Sequence, residues 1–305
     1  MLAPGQGSQT PGMLTPWLDD RTAEESLERW SDAIGLDLRR LGTTADADEI
    51  KDTAVTQPLI VAVSLLAAAR LAGHLPAAAP TAGHSVGELT SAGIAGVLSP
   101  DDAVAFAAVR GREMAAACAT EPTGMSAVLG GDPDEVLAIL GKLGLDPANR
   151  NGAGQIVAAG PLDALAALAE APPEKARVIA LKVAGAFHTR YMAPAEDALR
   201  THAGGVTPAD PTRPWLSNAD GTVVTRGADA LARLVAQVTL PVRWDSCMAT
   251  LRELGVTAVI ELPPAGALVG LVKRELKGTA TLALKTSDDL DKAVELIRDH
   301  SGAEE

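Results

Sequence analysis

The chain has 305 residues, with 26 Lys plus Arg against 39 Asp plus Glu, for a formal net charge of −13. That balance argues against a general nucleic-acid binder, because contact with phosphates needs a basic face. Hydrophobic residues make up 47% and aromatics only 2%, so Ala, Leu and Val must fill the core, and disorder is not expected of such a composition.

The chain opens on Pro4-Gly5-Gln6-Gly7-Ser8-Gln9, followed by an acidic helical region from Arg21 to Arg40 and a helix from about Pro58 to Leu71. The latter is apolar on all sides, which suits a position between layers. A short segment, Thr81-Ala82-Gly83-His84, leads into Ser85-Val86-Gly87-Glu88 and a small-residue helix. The next helix has a legible start, with Ser99 as cap, Pro100 at the first position and Asp102 where a capping-box acid belongs; it carries Arg110 and Arg112.

From Thr123 to Val183 the pattern shortens. A strand (126–129), a helix (133–143), a short strand near 148–151, a strand (155–159), a helix (162–171) and a strand (177–183) give the order βαββαβ, a ferredoxin-like unit. Strands at 257–262 and 279–284 and a terminal helix carrying Leu290, Ala293, Val294 and Ile297 follow. Alternating strands and helices on both sides predict one parallel α/β core, residues 1–122 and 185–305, interrupted by a small subdomain at 123–184.

Cys118 and Cys247 stand far apart, with no CxxC and no His at ligand spacing, so neither a disulfide framework nor a zinc site is suggested. Pro4-Gly5 so close to the first Met leaves no room for a signal-peptide core, and the most apolar run, Leu59 to Ala69, falls short of the roughly 20 residues that span a bilayer. A soluble, cytoplasmic protein without membrane contact is expected. No heptad or long exposed apolar stripe appears, which makes a monomer the default.

Gly83-His84-Ser85-Val86-Gly87 matches G-x-S-x-G, a turn that lifts a serine between a strand and a helix and aims free N–H groups at a developing oxyanion. An ordinary strand-to-helix turn is the alternative. A serine needs a base, and the histidines are His74, His84, His188, His202 and His300. His84 would point away from Ser85 as a structural hydrogen-bonding residue, His74 and His202 read as surface, and His300 lies in a frayed tail. His188, in Gly185-Ala186-Phe187-His188, follows an apolar strand where a loop can present it at a sheet edge. Asp132, Asp134, Asp146 and Asp163 all fall inside the inserted unit, so a full triad is poorly supported. Gly5-Gln6-Gly7 lacks the third glycine of a dinucleotide fingerprint and reads as an anion-facing turn.

Together, Pro-Gly-Gln-Gly-Ser-Gln at 4–9, Gly-His-Ser-Val-Gly-Glu at 83–88, Arg110-Gly111, Gly-Ala-Phe-His at 185–188 and Pro-Val-Arg-Trp at 241–244 closely resemble the malonyl-CoA:acyl carrier protein transacylases, stand-alone relatives of polyketide acyltransferase domains. The resemblance covers nearly the whole chain. It implies an α/β-hydrolase-like core with a parallel sheet and the inserted ferredoxin-like subdomain. It also implies Ser85 as nucleophile, His188 as base and later acid, and the backbone N–H groups of Gln6 and Val86 as the oxyanion hole. Arg110 would pair with the malonyl carboxylate, Gln237 would lie near the histidine with backbone carbonyls orienting the imidazole, and Asn151 would stand near the cleft. Phe187 would leave little room for an extra methyl.

The implied substrates are malonyl-CoA and a holo acyl carrier protein. No cofactor is implied, coenzyme A thioester being a substrate. Lys273, Arg274, Lys277 and Arg190 would form a basic rim for an acidic carrier, with a solvated helix face as the alternative for the 273–277 run. A serine hydrolase and a silent carrier-binding module are the competing readings; the first lacks a core acid and leaves Arg110 unexplained. Two features depart from the family pattern: only three residues precede Pro4, where the family has a fuller first strand, so a short or frayed first strand is expected, and Glu261-Leu262-Pro263-Pro264-Ala265-Gly266 replaces the family's Glu-x-Gly-Pro turn, a structural difference.

Overall fold

Short apolar segments that alternate their faces set the architecture, which a computed structural model describes for residues 1–301. In chain order the strands are β1 (Leu2–Ala3), β2 (Thr81–Gly83), β3 (Thr123–Gly130), β4 (Asp146–Gly152), β5 (Gln155–Pro161), β6 (Ala176–Ala180), β7 (Trp215–Leu216), β8 (Val223–Val224), β9 (Ala258–Glu261) and β10 (Ala280–Ala283). They build two sheets, ordered β10-β9-β1-β2-β7-β8 and β4-β5-β3-β6.

In the first sheet β10, β9, β1, β2 and β7 run parallel, and β8 alone is antiparallel. Period-two alternation sends neighbours to opposite faces. Leu2 packs with Ala82, Leu216, Trp244, Met248 and Val272, while Ala3 joins the large helical cluster with Leu59, Val63, Val86 and Phe106. A parallel sheet needs cover on both faces, and these two clusters supply it. As expected, β1 is short.

The second sheet is antiparallel in the order βαββαβ, with its four strands spanning 123–180. One face packs Val128, Ile156 and Ala158 against Val136 and Leu140 of the helix Pro133–Lys142 and Leu165 and Leu168 of the helix Leu162–Glu170. The other face, with Met125 and Val157, turns to the main body. Backbone bonds fasten the join, Arg150 N–H donating to Val242 O at 2.9 Å and Val242 N–H to Ala148 O at 2.8 Å.

Two helices depart from expectation. The acidic region is broken into Arg21–Ile34 and Leu38–Thr43, because Gly35 adopts φ 68° and ends the first helix with a left-handed cap. The apolar helix is Thr53–Leu71, starting five residues before Pro58, since the Asp52 side chain accepts the N–H of Ala54 and caps it there. At 19 residues it is long and apolar enough to cross a membrane, but it is buried inside the protein. Against it runs the helix Pro100–Cys118, capped as expected by Ser99, whose Oγ accepts Asp102 N–H at 3.0 Å. Gly111 permits this crossing, because a Cβ there would stand 2.6 Å from Thr53 O.

The glycines of the serine turn are equally constrained. A Cβ on Gly83 would lie 2.0 Å from the Gly87 backbone, and one on Gly87 would lie 2.3 Å from Ala3 O. Gly141, exposed on the helix Pro133–Lys142, would meet nothing within 4 Å. Gly87→Ala is therefore expected to lower stability by about 1–3 kcal/mol or more, and Gly141→Ala to raise it by about 0.5–1 kcal/mol. Urea unfolding of both variants checks this; equal effects would contradict it.

Candidate active site

In a parallel sheet, ligands bind beyond the carboxyl ends of the strands. Gln6 follows β1, Ser85 follows β2 and Asn218 follows β7, so three neighbouring strands deliver their loops to one edge. The insert's open face covers that edge. Between them lies a cleft of about 400 Å³ lined by Gln6, Ser85, Arg110, Met125, Asn151, Val157, Phe187, His188 and Arg274, among others.

Ser85 sits on the turn with φ 54°, and His188 on its loop with φ 60°. A non-glycine residue in this region costs of order 1–3 kcal/mol and persists only where its surroundings impose it. At Ser85 the imposing group is Asn218, whose Oδ1 accepts Ser85 N–H at 2.8 Å while its Nδ2 donates to Gly83 O at 2.7 Å. The serine's own N–H is thus occupied. Among the described residues the backbone N–H groups of Gln6 and Val86 have no acceptor, which leaves them available to an oxyanion.

His188 Nδ1 lies 2.9 Å from Gln237 O. A carbonyl only accepts, so Nδ1 carries the proton and Nε2 presents a lone pair. Ser85 Oγ stands 2.7 Å from that Nε2 and donates to it. Among the described residues no carboxylate touches the ring; a backbone carbonyl does the orienting, which explains why a sequence search finds no third member. Burial, with the Arg110 charge alongside, lowers the His188 pKa from 6.5 to about 3.

Arg110 is 2% exposed. Its Nη1 donates to Gln57 Oε1 at 2.6 Å, and its Nη2 to Gln237 Oε1 at 2.7 Å and to Ser85 Oγ at 3.3 Å. Desolvation lowers its pKa to about 10, with Glu88 acting in the opposite sense, so the guanidinium keeps its charge at neutral pH. Glu88 is itself buried, and burial lifts its pKa to about 7.

Asn151 lines the cleft and binds His84, Oδ1 to Nε2 at 2.9 Å. His84 also meets Trp244 edge-on, 5.6 Å between centroids, and is the structural residue expected. Phe187, 7% exposed, forms part of the cleft wall. His202 is a correction: it is half-buried, edge-on to Phe106 at 5.4 Å, because the helix Ala193–Ala203 packs against Pro100–Cys118. His74 is exposed as expected, whereas His300 is not in a frayed tail: it closes the last helix, held with Nδ1 2.8 Å from Thr257 Oγ1. Of the basic residues, Arg274 reaches the cleft, Lys273 and Lys277 are exposed beside it, and Arg190 faces Asp146 at 3.7 Å.

Sequence reasoning missed Gln57, Asn218 and the role of Glu88. Gln57 left one signal, an amide in a largely apolar helix; Glu88 stands inside the Gly-His-Ser-Val-Gly-Glu motif, and Asn218, 133 positions from its partner Ser85, left none. Among the described residues no group of three or more His, Cys, Asp or Glu is placed to hold a metal ion.

The lowered pKa has a definite sign. Between pH 6.5 and about 3 the unfolded chain binds a proton at His188 that the folded chain refuses, so this site subtracts stability as pH falls below 6.5 and nothing above it. Nitrogen-15 NMR of the imidazole, assigned by loss of the signal in His188→Asn, is expected to show a neutral Nδ1–H ring still at about pH 5. A protonated ring there would contradict the assignment.

The acyl transferase domain family matches residues 2–303. The chain is 60% identical over 299 residues to the malonyl CoA-acyl carrier protein transacylase of Mycobacterium bovis, across 97% of this chain and 99% of that protein. It shares 60% identity and a TM-score of 0.92 with the crystal structure of MCAT from Mycobacterium tuberculosis, covering 96% and 98% of the two chains. A malonyl-transacylase in complex with a type II polyketide synthase acyl-carrier protein gives a TM-score of 0.89 at 29% identity, covering 97% and 98%. With a serine, a histidine and a buried arginine gathered at the end of the sheet, and a match along nearly its whole length, the chain belongs to the acyl transferase domain family and is an acyltransferase.

Proposed function

We propose that the chain carries a malonyl group from malonyl-CoA to the phosphopantetheine thiol of an acyl carrier protein, through an ester on Ser85. The observation that carries this reading is the position of Ser85 Oγ, 2.7 Å from His188 Nε2 and 3.3 Å from Arg110 Nη2. A nucleophile, its base and a fixed positive charge meet at one atom.

In the first half-reaction Ser85 Oγ attacks the thioester carbonyl and passes its proton to His188 Nε2. The oxyanion collects on the backbone N–H groups of Gln6 and Val86. The C–S bond breaks, and His188 returns the proton to the departing coenzyme A thiolate. In the second, His188 takes the proton of the carrier's thiol, the thiolate attacks the ester, and Ser85 recovers its hydrogen as the leaving alkoxide.

Arg110 binds the free carboxylate of the malonyl group throughout. A planar guanidinium already held by two amide oxygens offers its remaining N–H groups in a fixed plane, which suits a carboxylate better than an ammonium would. The wall formed by Phe187 disfavours a methyl on the malonyl carbon, a preference limited to about 1–3 kcal/mol. Arg274 at the cleft, with Lys273 and Lys277 exposed beside it, supports an acidic carrier approaching from that side.

Arg110→Ala is expected to slow Ser85 malonylation about 10- to 100-fold more than acetylation, because only malonyl loses a charge-assisted pair. Intact-mass time courses with malonyl-CoA and acetyl-CoA measure this; equal losses would make Arg110 a structural residue.

A further inference from the structure

Glu88 stands at the centre of the site without lining the cleft. It is 1% exposed, and each carboxylate oxygen has its own donor. Oε1 accepts the backbone N–H of Asn218 at 2.5 Å, and Oε2 accepts Gln237 Nε2. The second bond decides more than its own energy.

A glutamine amide can turn over, exchanging its donor and acceptor ends. Above the pKa of about 7 that burial gives it, Glu88 is a carboxylate and accepts only, so there it compels Gln237 to face it with Nε2. The same nitrogen donates to Ser85 O at 2.9 Å, which agrees with that choice. Oε1 is then the only end left for Arg110, and it accepts Nη2 at 2.7 Å. Turned over, Gln237 would set an NH₂ against the guanidinium, donor against donor, and leave Ser85 O without its partner. His188 is indifferent to the flip, because it binds the backbone carbonyl of Gln237.

We infer, on the reading of Arg110 as the partner of the malonyl carboxylate, that Glu88 is a positioning residue for carboxylated acyl groups: it fixes the orientation of the Gln237 amide, and through that amide the plane of the Arg110 guanidinium. It acts chiefly on which acyl group is accepted, since the Ser85 Oγ–His188 Nε2 bond involves neither Glu88 nor the Gln237 amide. The network reaches from the helix Gly87–Ile94 through the loop at 237 to the helix Pro100–Cys118, so one buried carboxylate sets a specificity group on another element.

Glu88→Gln tests this, since it keeps the shape and the acceptor for Asn218 but places an NH₂ where Oε2 stood, which the Gln237 amide can satisfy only by turning over. In intact-mass time courses on the full chain, the KM for malonyl-CoA should rise about tenfold while Ser85 acetylation stays within about twofold, so the malonyl-to-acetyl ratio falls about tenfold. Gln237→Leu, which keeps the backbone carbonyl but removes the amide, should lower the same ratio and serves if Glu88→Gln does not fold. Equal losses for both acyl groups, or an unchanged ratio in whichever variant folds, would overturn the positioning role while leaving the transfer reading in place. Wild-type protein that acetyl-CoA labels but malonyl-CoA does not would remove that reading, and the inference with it.

Discussion

A guanidinium buried to 2% exposure is among the most demanding groups of the described residues, and the site is organised around satisfying it. Transfer of a charge out of water costs several kcal/mol even after relaxation, unless hydrogen bonds replace the lost hydration. Gln57, Gln237 and Ser85 Oγ provide them from three separate parts of the chain, and Glu88, when ionised, adds a nearby negative charge. The same field that a buried cation creates also helps keep His188 neutral. One charge therefore touches both the Ser85 hydroxyl and the protonation state of His188.

The rest of the fold makes that placement possible. Arg110 reaches Gln57 because Gly111 lets two long helices cross closely. Ser85 reaches His188 because Gly83 and Gly87 let a helix start against the edge of a two-residue strand. The inserted sheet, anchored by backbone bonds between Ala148–Arg150 and Val242, turns its second apolar face toward the same edge and closes the cleft. The left-handed residues Ser85 and His188 stand where Asn218 holds the Ser85 backbone N–H and the Gln237 carbonyl holds the His188 ring.

Much of this was legible in the amino-acid order, and the reasons are local. The G-x-S-x-G turn, the Ser99 cap and the βαββαβ rhythm each depend on neighbours within a few residues, so they leave a pattern. The break at Gly35 and the start at Asp52 were missed although their signals were local: a left-handed glycine, and a cap that outranked the proline six residues on. The partners of Arg110 and Ser85 left no pattern of this kind. Gln57 is 53 positions from Arg110, and Asn218 is 133 from Ser85, so only the packing of whole elements brings them together. The lack of a carboxylate beside His188 among the described residues has the same explanation, since a backbone carbonyl carries no residue signature.

On the proposed function, Ser85 holds a malonyl ester that a thiol discharges and water does not. The most direct measurement isolates the malonyl-enzyme, maps the label to its peptide, and follows its decay by intact mass in buffer alone and with a holo acyl carrier protein. The account predicts label on Ser85, slow loss in buffer and rapid transfer to the carrier thiol. Label elsewhere, or discharge by water as fast as by the thiol, would contradict it.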